Sequence, residues 1–563
     1  MIYHCEDHTC NYWDEGEKLP ERCPQCGRKL LRANEADMTG DDWTALGNTL
    51  WDAEASDKKR MVDCFRKAAY LGSAWGVCNL GICMEQGNGV EADPVQAFWL
   101  YQQAVEMGSL NAVCCLGVCY EHGIGTAPDA KQAAELYCKA AEYGSPRGQM
   151  LLAHAFHDGI GVEADAAEAV HWVRAAAYQR YGEGMHRLGV CYEYGDGVEQ
   201  NWERAVHWFR EAAESGVSAA MTDLGYCYEK GCGVEQSWEQ AFSWYRRGAE
   251  CGYPVSMSNL GLCYKRGYGV DQNWQEAIKW YEQGAQCGHL QSMNNLACCY
   301  EDGEGVEQNE ERALYWYRRG AEAGSDYCMY CLGWNYSNGE GVEQNMTEAI
   351  RWYTAAAEGG NADAMHDLGW LYDHGEGVEQ DMKKAICWYE RAAEQNHPAA
   401  MNSLGECYAM GRGVPRDLET AMEWYRRAAE LGEAMADYNM GWHLEQAGKL
   451  SEAYAHYRKA ADGNDDSAWW ALGRFYENGV VVAQDGKEAR RCYETGEKLG
   501  NVKCKMRLAR CKLLGIGGRR AKKAGLDLCR QALELAKESS EKEDYGYEAE
   551  MNLLRRTIAE NES

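Results

Sequence analysis

The chain has 563 residues, with 88 Asp and Glu against 57 Lys and Arg and a formal net charge of −31. Single cores stop growing near ~250–300 residues, so one compact core is excluded and several domains or an open repeat array are required. Such an acidic chain repels phosphate backbones, which argues against nucleic acid as the main partner and fits either basic partners or simple solubility.

The first residues, MIYHCEDHTC, contain no basic start followed by an apolar run. No window reaches the ~18–20 consecutive apolar residues of a membrane helix. The expectation is a cytoplasmic protein without membrane insertion, whose 27 Cys are mostly reduced thiols packed as small hydrophobes rather than a disulfide framework. Residues 1–36 differ in pattern from the rest of the chain. Cys5 and Cys10, then Cys23-Pro-Gln-Cys26-Gly27, supply four thiolates, the tetrahedral set of a structural Zn2+. The first pair is spaced more widely than usual, and His8 is an alternative fourth ligand. Four protein ligands leave no open coordination position, so catalysis at this zinc is not expected. The segment resembles a small zinc ribbon or rubredoxin-like knuckle. An iron site, or reduced cysteines without metal, are the other readings.

From residue 37 a period takes over. Leu80, Leu116, Leu152, Leu188, Leu224, Leu260, Leu296, Leu332, Leu368, Leu404 and Met440 follow one another every 36 residues. Leu46 precedes this series by a slightly shorter step, and Leu472 and Leu508 follow one shortened unit, making fourteen units. In residues 218–231, Met221, Leu224 and Tyr228 lie on one face of a helix. Gly225 beside that face allows a second helix to approach closely, and Gly231-Cys232-Gly233-Val234 ends the helix. Thirteen residues after each repeat Leu stands Asp, Asn or Ser, as at Asp165, Asn201, Ser237 and Asn273, which predicts the cap of a second helix. Glu168 and Glu276, three residues on, predict capping boxes. The second helix carries Trp-Tyr pairs such as Trp244-Tyr245 and Trp388-Tyr389, and it stops at Gly216, Gly252, Gly288, Gly324, Gly360 and Gly432, or at Asn396. Cys83, Cys119, Cys191, Cys227, Cys263, Cys299 and Cys407 recur three residues after the repeat Leu, so they are read as buried packing residues.

Two stretches depart from the period. Residues 440–471 lose four residues and one glycine and look more like a tetratricopeptide unit, which predicts a local change in curvature. Past GGRRAKKAG, residues 524–560 read as a helix pair of mixed charge that caps the array. The expected domains are 1–36, 37–523 and 524–563.

The consensus A-x-x-x-L-G-x-x-Y-x-x-G-x-G-V-x-x-D/N-x-x-x-A-x-x-W-Y-x-x-A-A-E-x-G resembles the Sel1-like repeat family, a relative of tetratricopeptide repeats, over roughly residues 40–520. The resemblance implies an all-α, right-handed superhelical solenoid of antiparallel helix pairs that serves as an intracellular, bacterial scaffold or adaptor. Some Sel1-like proteins carry a β-lactamase label. Ser56-x-x-Lys59 and Ser539-x-x-Lys542 match only the start of that signature and lack Lys-Thr-Gly, and neither Gly-x-Ser-x-Gly nor His-Glu-x-x-His occurs. The chain is therefore read as a non-enzyme, with a regulatory subunit of an enzyme complex as the alternative.

Turning the first helix by 100° per residue places positions −3, 0, +3 and +4 from the repeat Leu inward and −2, +2 and +5 outward. Over residues 330–477 the outer positions are Tyr330, Trp334, His366, Trp370, Tyr438, Trp442 and Trp470, interrupted by Asn402 and Glu406. Acids follow at +5, including Glu301, Asp373, Glu445 and Glu477. Asn79, Asn259, Asn295 and Asn439 at −1 present amides suited to an extended backbone. The stripe reads either as a groove for a protein or peptide with basic and apolar side chains, or as rings packed against the next repeat.

Overall fold

The computed structural model describes residues 2–5, 13–15, 30–33, 38–51, 55–542 and 547–562. Three short strands precede the helices: β1 (Ile2–Cys5) lies between β2 (Trp13–Glu15) and β3 (Leu30–Ala33), antiparallel to both. The register pairs His4 with Trp13 and Cys5 with Leu30. Of the residues read as zinc ligands, Cys5 ends β1, while Cys10, Cys23, Cys26 and the alternative His8 lie outside the described residues.

Beyond the strands the described chain is helical. It forms fourteen consecutive helix pairs, repeats 1 to 14, from Gly40–Thr49 with Ala55–Tyr70 to Val502–Leu514 with Lys522–Lys542. The helix pair read over 524–560 is divided: Lys522–Lys542 is the second helix of repeat 14, and Glu548–Glu562 packs on both helices of that repeat. The chain separates into two units, Met1–Ser292 and Met293–Ser563. Within each, successive first helices also touch, as Leu110–His122 does with Pro146–Asp158 and Asp466–Asn478 with Val502–Leu514.

The local signals explain the helix ends. Asp93, Asp129, Asn201, Ser237, Asn345 and Asp417 each accept a hydrogen bond from a backbone N–H of the following helix. Asp165 and Asn273 do so as well, but the expected capping boxes do not close. The cap N–H that Glu168 or Glu276 would have bonded is already spent: Asp165 N donates to Phe156 O at 2.8 Å and Asn273 N to Tyr264 O at 2.9 Å. That bond ties the start of the second helix to the end of the first. The stop glycines take positive φ, 98° at Gly216 and 104° at Gly360, and Asn396 stands at 62°.

The core of a repeat is a ring laid on a glycine. A Cβ built on Gly225 would lie 2.6 Å from Tyr245, and one on Gly441 would lie 2.8 Å from Tyr457. Leu224, Tyr245 and the periodic cysteines are all buried. Burial pushes the Cys83 thiol up to about 11 and Cys227 up to about 12, so these are packing groups rather than reactive thiolates.

Candidate protein-interaction surface

The outer stripe of repeats 9 to 13 splits into two rows with different surroundings. The row two residues before the repeat Leu is half-buried in the packing. Tyr330 packs on the Tyr353 ring at 5.7 Å, and Tyr438 on the Tyr457 ring at 5.6 Å. Burial raises both hydroxyls, Tyr438 to about 12. His366 lies between the rings of Tyr389 and His397, at 5.8 and 5.2 Å, and contacts the Asp367 carboxylate at 3.1 Å. Trp470 has the Arg474 guanidinium 4.6 Å from its ring and the Lys503 ammonium at 5.2 Å. These four side chains are engaged in packing, Tyr330 and Tyr438 on the second helix of their own repeat and His366 and Trp470 also on the next repeat.

The row two residues after the repeat Leu is open. Trp334 is 47% exposed, Trp370 38% and Trp442 37%. Each stands on a rigid first helix. Trp370 stacks on His374 at 4.4 Å and 23°, and Trp442 meets His443 edge-on at 4.8 Å. The structure therefore leaves three of the seven predicted residues exposed and engages the other four in packing.

The acids at +5 are not part of the outer face, which corrects the sequence reading. They bind inward, to the tyrosine of their own repeat. Tyr317 donates to Glu301 at 2.7 Å, Tyr457 to Glu445 at 2.8 Å and Tyr493 to Glu477 at 2.8 Å. The same bond recurs from Tyr101 to Glu85 and from Tyr245 to Glu229. Asp373 is buried against Arg412 at 2.9 Å. Helical periodicity points position +5 outward, but a long tyrosine on the second helix reaches it.

The amides at −1 are also engaged where their bonds are resolved. Asn79 donates to Asn48 at 2.8 Å, and Asn439 donates to Asn402 at 3.0 Å and to Glu406 at 3.2 Å. Glu406 sits 3.7 Å from Arg412, so the polar gap in the tryptophan row is an internally bonded network. One feature escaped the sequence reading: Tyr226 and Leu262, at the same +2 register in the first unit, are also exposed. Their shared offset from the repeat Leu was the available signal.

Among the described residues no group of His, Cys, Asp and Glu is placed to hold a metal ion, and no described helix is long and apolar enough to cross a membrane.

The Sel1 repeat matches twelve stretches of this chain: 76–109, 112–145, 146–181, 182–217, 218–253, 254–289, 290–325, 326–361, 362–397, 398–433, 434–465 and 468–501. The chain belongs to the Sel1 repeat family. Sel1 repeat proteins are generally protein-interaction scaffolds, and their all-α solenoid is the fold found here. Among solved structures, c5321, a protective antigen of uropathogenic Escherichia coli displaying an SLR fold, is 28% identical. The match covers 76% of this chain and 94% of that one, with a TM-score of 0.52. A Sel1 repeat protein from Oxalobacter formigenes is 32% identical over 44% of this chain and 99% of its own, with a TM-score of 0.41. No curated protein matches the sequence.

Proposed function

We propose that this Sel1 repeat protein is a non-enzymatic scaffold that binds a partner protein through Trp334, Trp370 and Trp442. The carrying observation is that these indoles are exposed on one row of rigid first helices while the adjacent row is consumed in packing. Rigid aromatic anchors supply much of the binding energy at protein interfaces. The net charge of −31 favours a partner segment that flanks its apolar residues with Lys or Arg. A displayed-peptide library measures this directly. The native chain enriches basic, apolar peptides, and Trp334→Ala with Trp370→Ala removes the enrichment while far-UV circular dichroism stays unchanged. Equal enrichment by both proteins rejects the reading.

The cytoplasm is the proposed location. What supports it is that 23 of the 27 cysteines, all those within the described helical repeats, are free thiols. For residues 1–36 the proposal remains a structural Zn2+ on Cys5, Cys10, Cys23 and Cys26. The connection between β1 and β2 carries Cys10, and that between β2 and β3 carries Cys23 and Cys26, which supports a shared site. Zinc released by a thiol-modifying reagent should equal one ion per chain, and none from Cys23→Ser with Cys26→Ser.

A further inference from the structure

From Phe65 to Tyr493, the second helix of every repeat but one carries a buried or nearly buried Tyr or Phe at the same position. The ring lies on the small residue that follows the repeat Leu, and where it is Tyr its hydroxyl reaches position +5 in repeats 2, 3, 6, 8, 12 and 13. Repeat 4 is the exception. Val173 replaces the ring, and Ala153 replaces the glycine beneath it.

A cavity of about 790 Å³ opens at this place in the first unit, with Ala153, Val170 and Val173 in its wall. The polar end is equally specific. Position +5, an acid in the six repeats with that hydroxyl bond, is His157 here. Its Nδ1 faces Asp158 and its Nε2 lies 3.3 Å from Asp196, which in turn lies 3.8 Å from Arg187. All four of these side chains line the cavity. An apolar patch where the missing ring belongs, beside carboxylates and an imidazole where its hydroxyl would fall, suits a phenol.

We infer that repeat 4 is a binding site for a phenol ring supplied from outside the chain, seated where the other repeats seat their own tyrosine. The site is separate from the tryptophan row and does not depend on it. Ring burial against Val173 holds the ligand, and hydrogen bonding of its hydroxyl to Asp158, His157 or Asp196 selects phenol over a plain aryl group.

Saturation-transfer NMR on the full chain tests this with p-cresol, N-acetyl-tyrosine amide and toluene. The expected result is transfer to p-cresol at least several-fold stronger than to toluene. Transfer to the amide as well identifies the source as a tyrosine of a partner, and transfer to p-cresol alone identifies a free phenol. Ala153→Gly with Val173→Tyr restores the internal ring and should abolish transfer with no fall in melting temperature. Val173→Leu, which fills less of the space, should weaken it should the double variant fold poorly. Trp334→Ala with Trp370→Ala should leave it unchanged. Absence of transfer to both phenols, equal transfer to toluene, or transfer undiminished in both cavity variants would overturn the inference.

Discussion

Repeat 6 (Ser218–Glu250) and repeat 12 (Ala434–Asp462) solve the same packing problem with different connections. In repeat 6 the helices are joined through Gly231, Gly233 and the cap Ser237, and Gly233 sits against the Trp202 carbonyl of repeat 5. In repeat 12 the join is only Ala447, Gly448 and Lys449, and Lys449 provides no side-chain cap. Yet both keep the ring on glycine and the tyrosine-to-carboxylate bond, 2.9 Å from Tyr245 to Glu229 and 2.8 Å from Tyr457 to Glu445. Two functions of a repeat are thus separable. The clamp holds its two helices together, while the long loop holds the pair to its predecessor. Repeat 12 drops the loop, and Arg474 of repeat 13 bonds Glu445 at 2.8 Å.

The comparison breaks most visibly if the clamps are unequal. Tyr245→Ala and Tyr457→Ala should each cost about 3–5 kcal/mol, the usual loss for a buried ring, read as lost hydrogen-exchange protection in the surrounding repeats. A much smaller loss at Tyr457 would show that repeat 12 is held by something else.

The glycines should then separate the two repeats. Gly233→Ala forces a Cβ onto the Trp202 backbone at positive φ and should cost about 3 kcal/mol from overpacking and backbone strain together. Gly448→Ala has a φ of 75° but open space around it, so about 1 kcal/mol is expected. Urea melts of the two variants give the difference.

Downstream of the short repeat, Val481 stands at a φ of 67° where other repeats place the second loop glycine. Val481→Gly should stabilise the chain by about 1 kcal/mol, since a β-branched residue is strained there. A lowered melting temperature would mean that the valine side chain contributes contacts exceeding that strain.

A further effect is one of pH. Asp465 caps the first helix of repeat 13, and burial pushes its carboxyl from 3.8 up to about 6, with Asp466 and Glu433 adding to the rise. A carboxyl that holds its proton more tightly when folded favours the folded state below its unfolded value. That advantage is lost as pH rises from about 4 through 6. Asp465→Asn keeps a capping oxygen and should flatten this loss, raising the melting temperature at pH 7 by a few degrees and leaving it unchanged at pH 3.5.

The candidate surface is only partly legible in the sequence. Trp334 and Tyr330 lie 40° apart on their helix by turn arithmetic, so periodicity assigns both to one outward stripe. Packing distinguishes them, because the Tyr353 ring on the second helix of the same repeat lies against Tyr330 while Trp334 is left open. Periodicity points the +5 acids outward for a related reason: position within a helix does not reveal the reach of a tyrosine from the next. The cavity at Val173 had a signal, a single break in an unbroken series of rings, but nothing in a missing side chain says whether neighbours collapse into its space.

The number and register of the repeats, their helix starts at Asp, Asn and Ser, and their stops at glycine are all written in the residue order, because backbone hydrogen bonding and φ preferences act over a few residues. Which outward side chains remain available, which carboxylates are consumed and where a cavity persists are settled by packing. Those outcomes depend on the direction in which one repeat stacks on the next, a contact between residues ~20–40 positions apart that no local preference encodes.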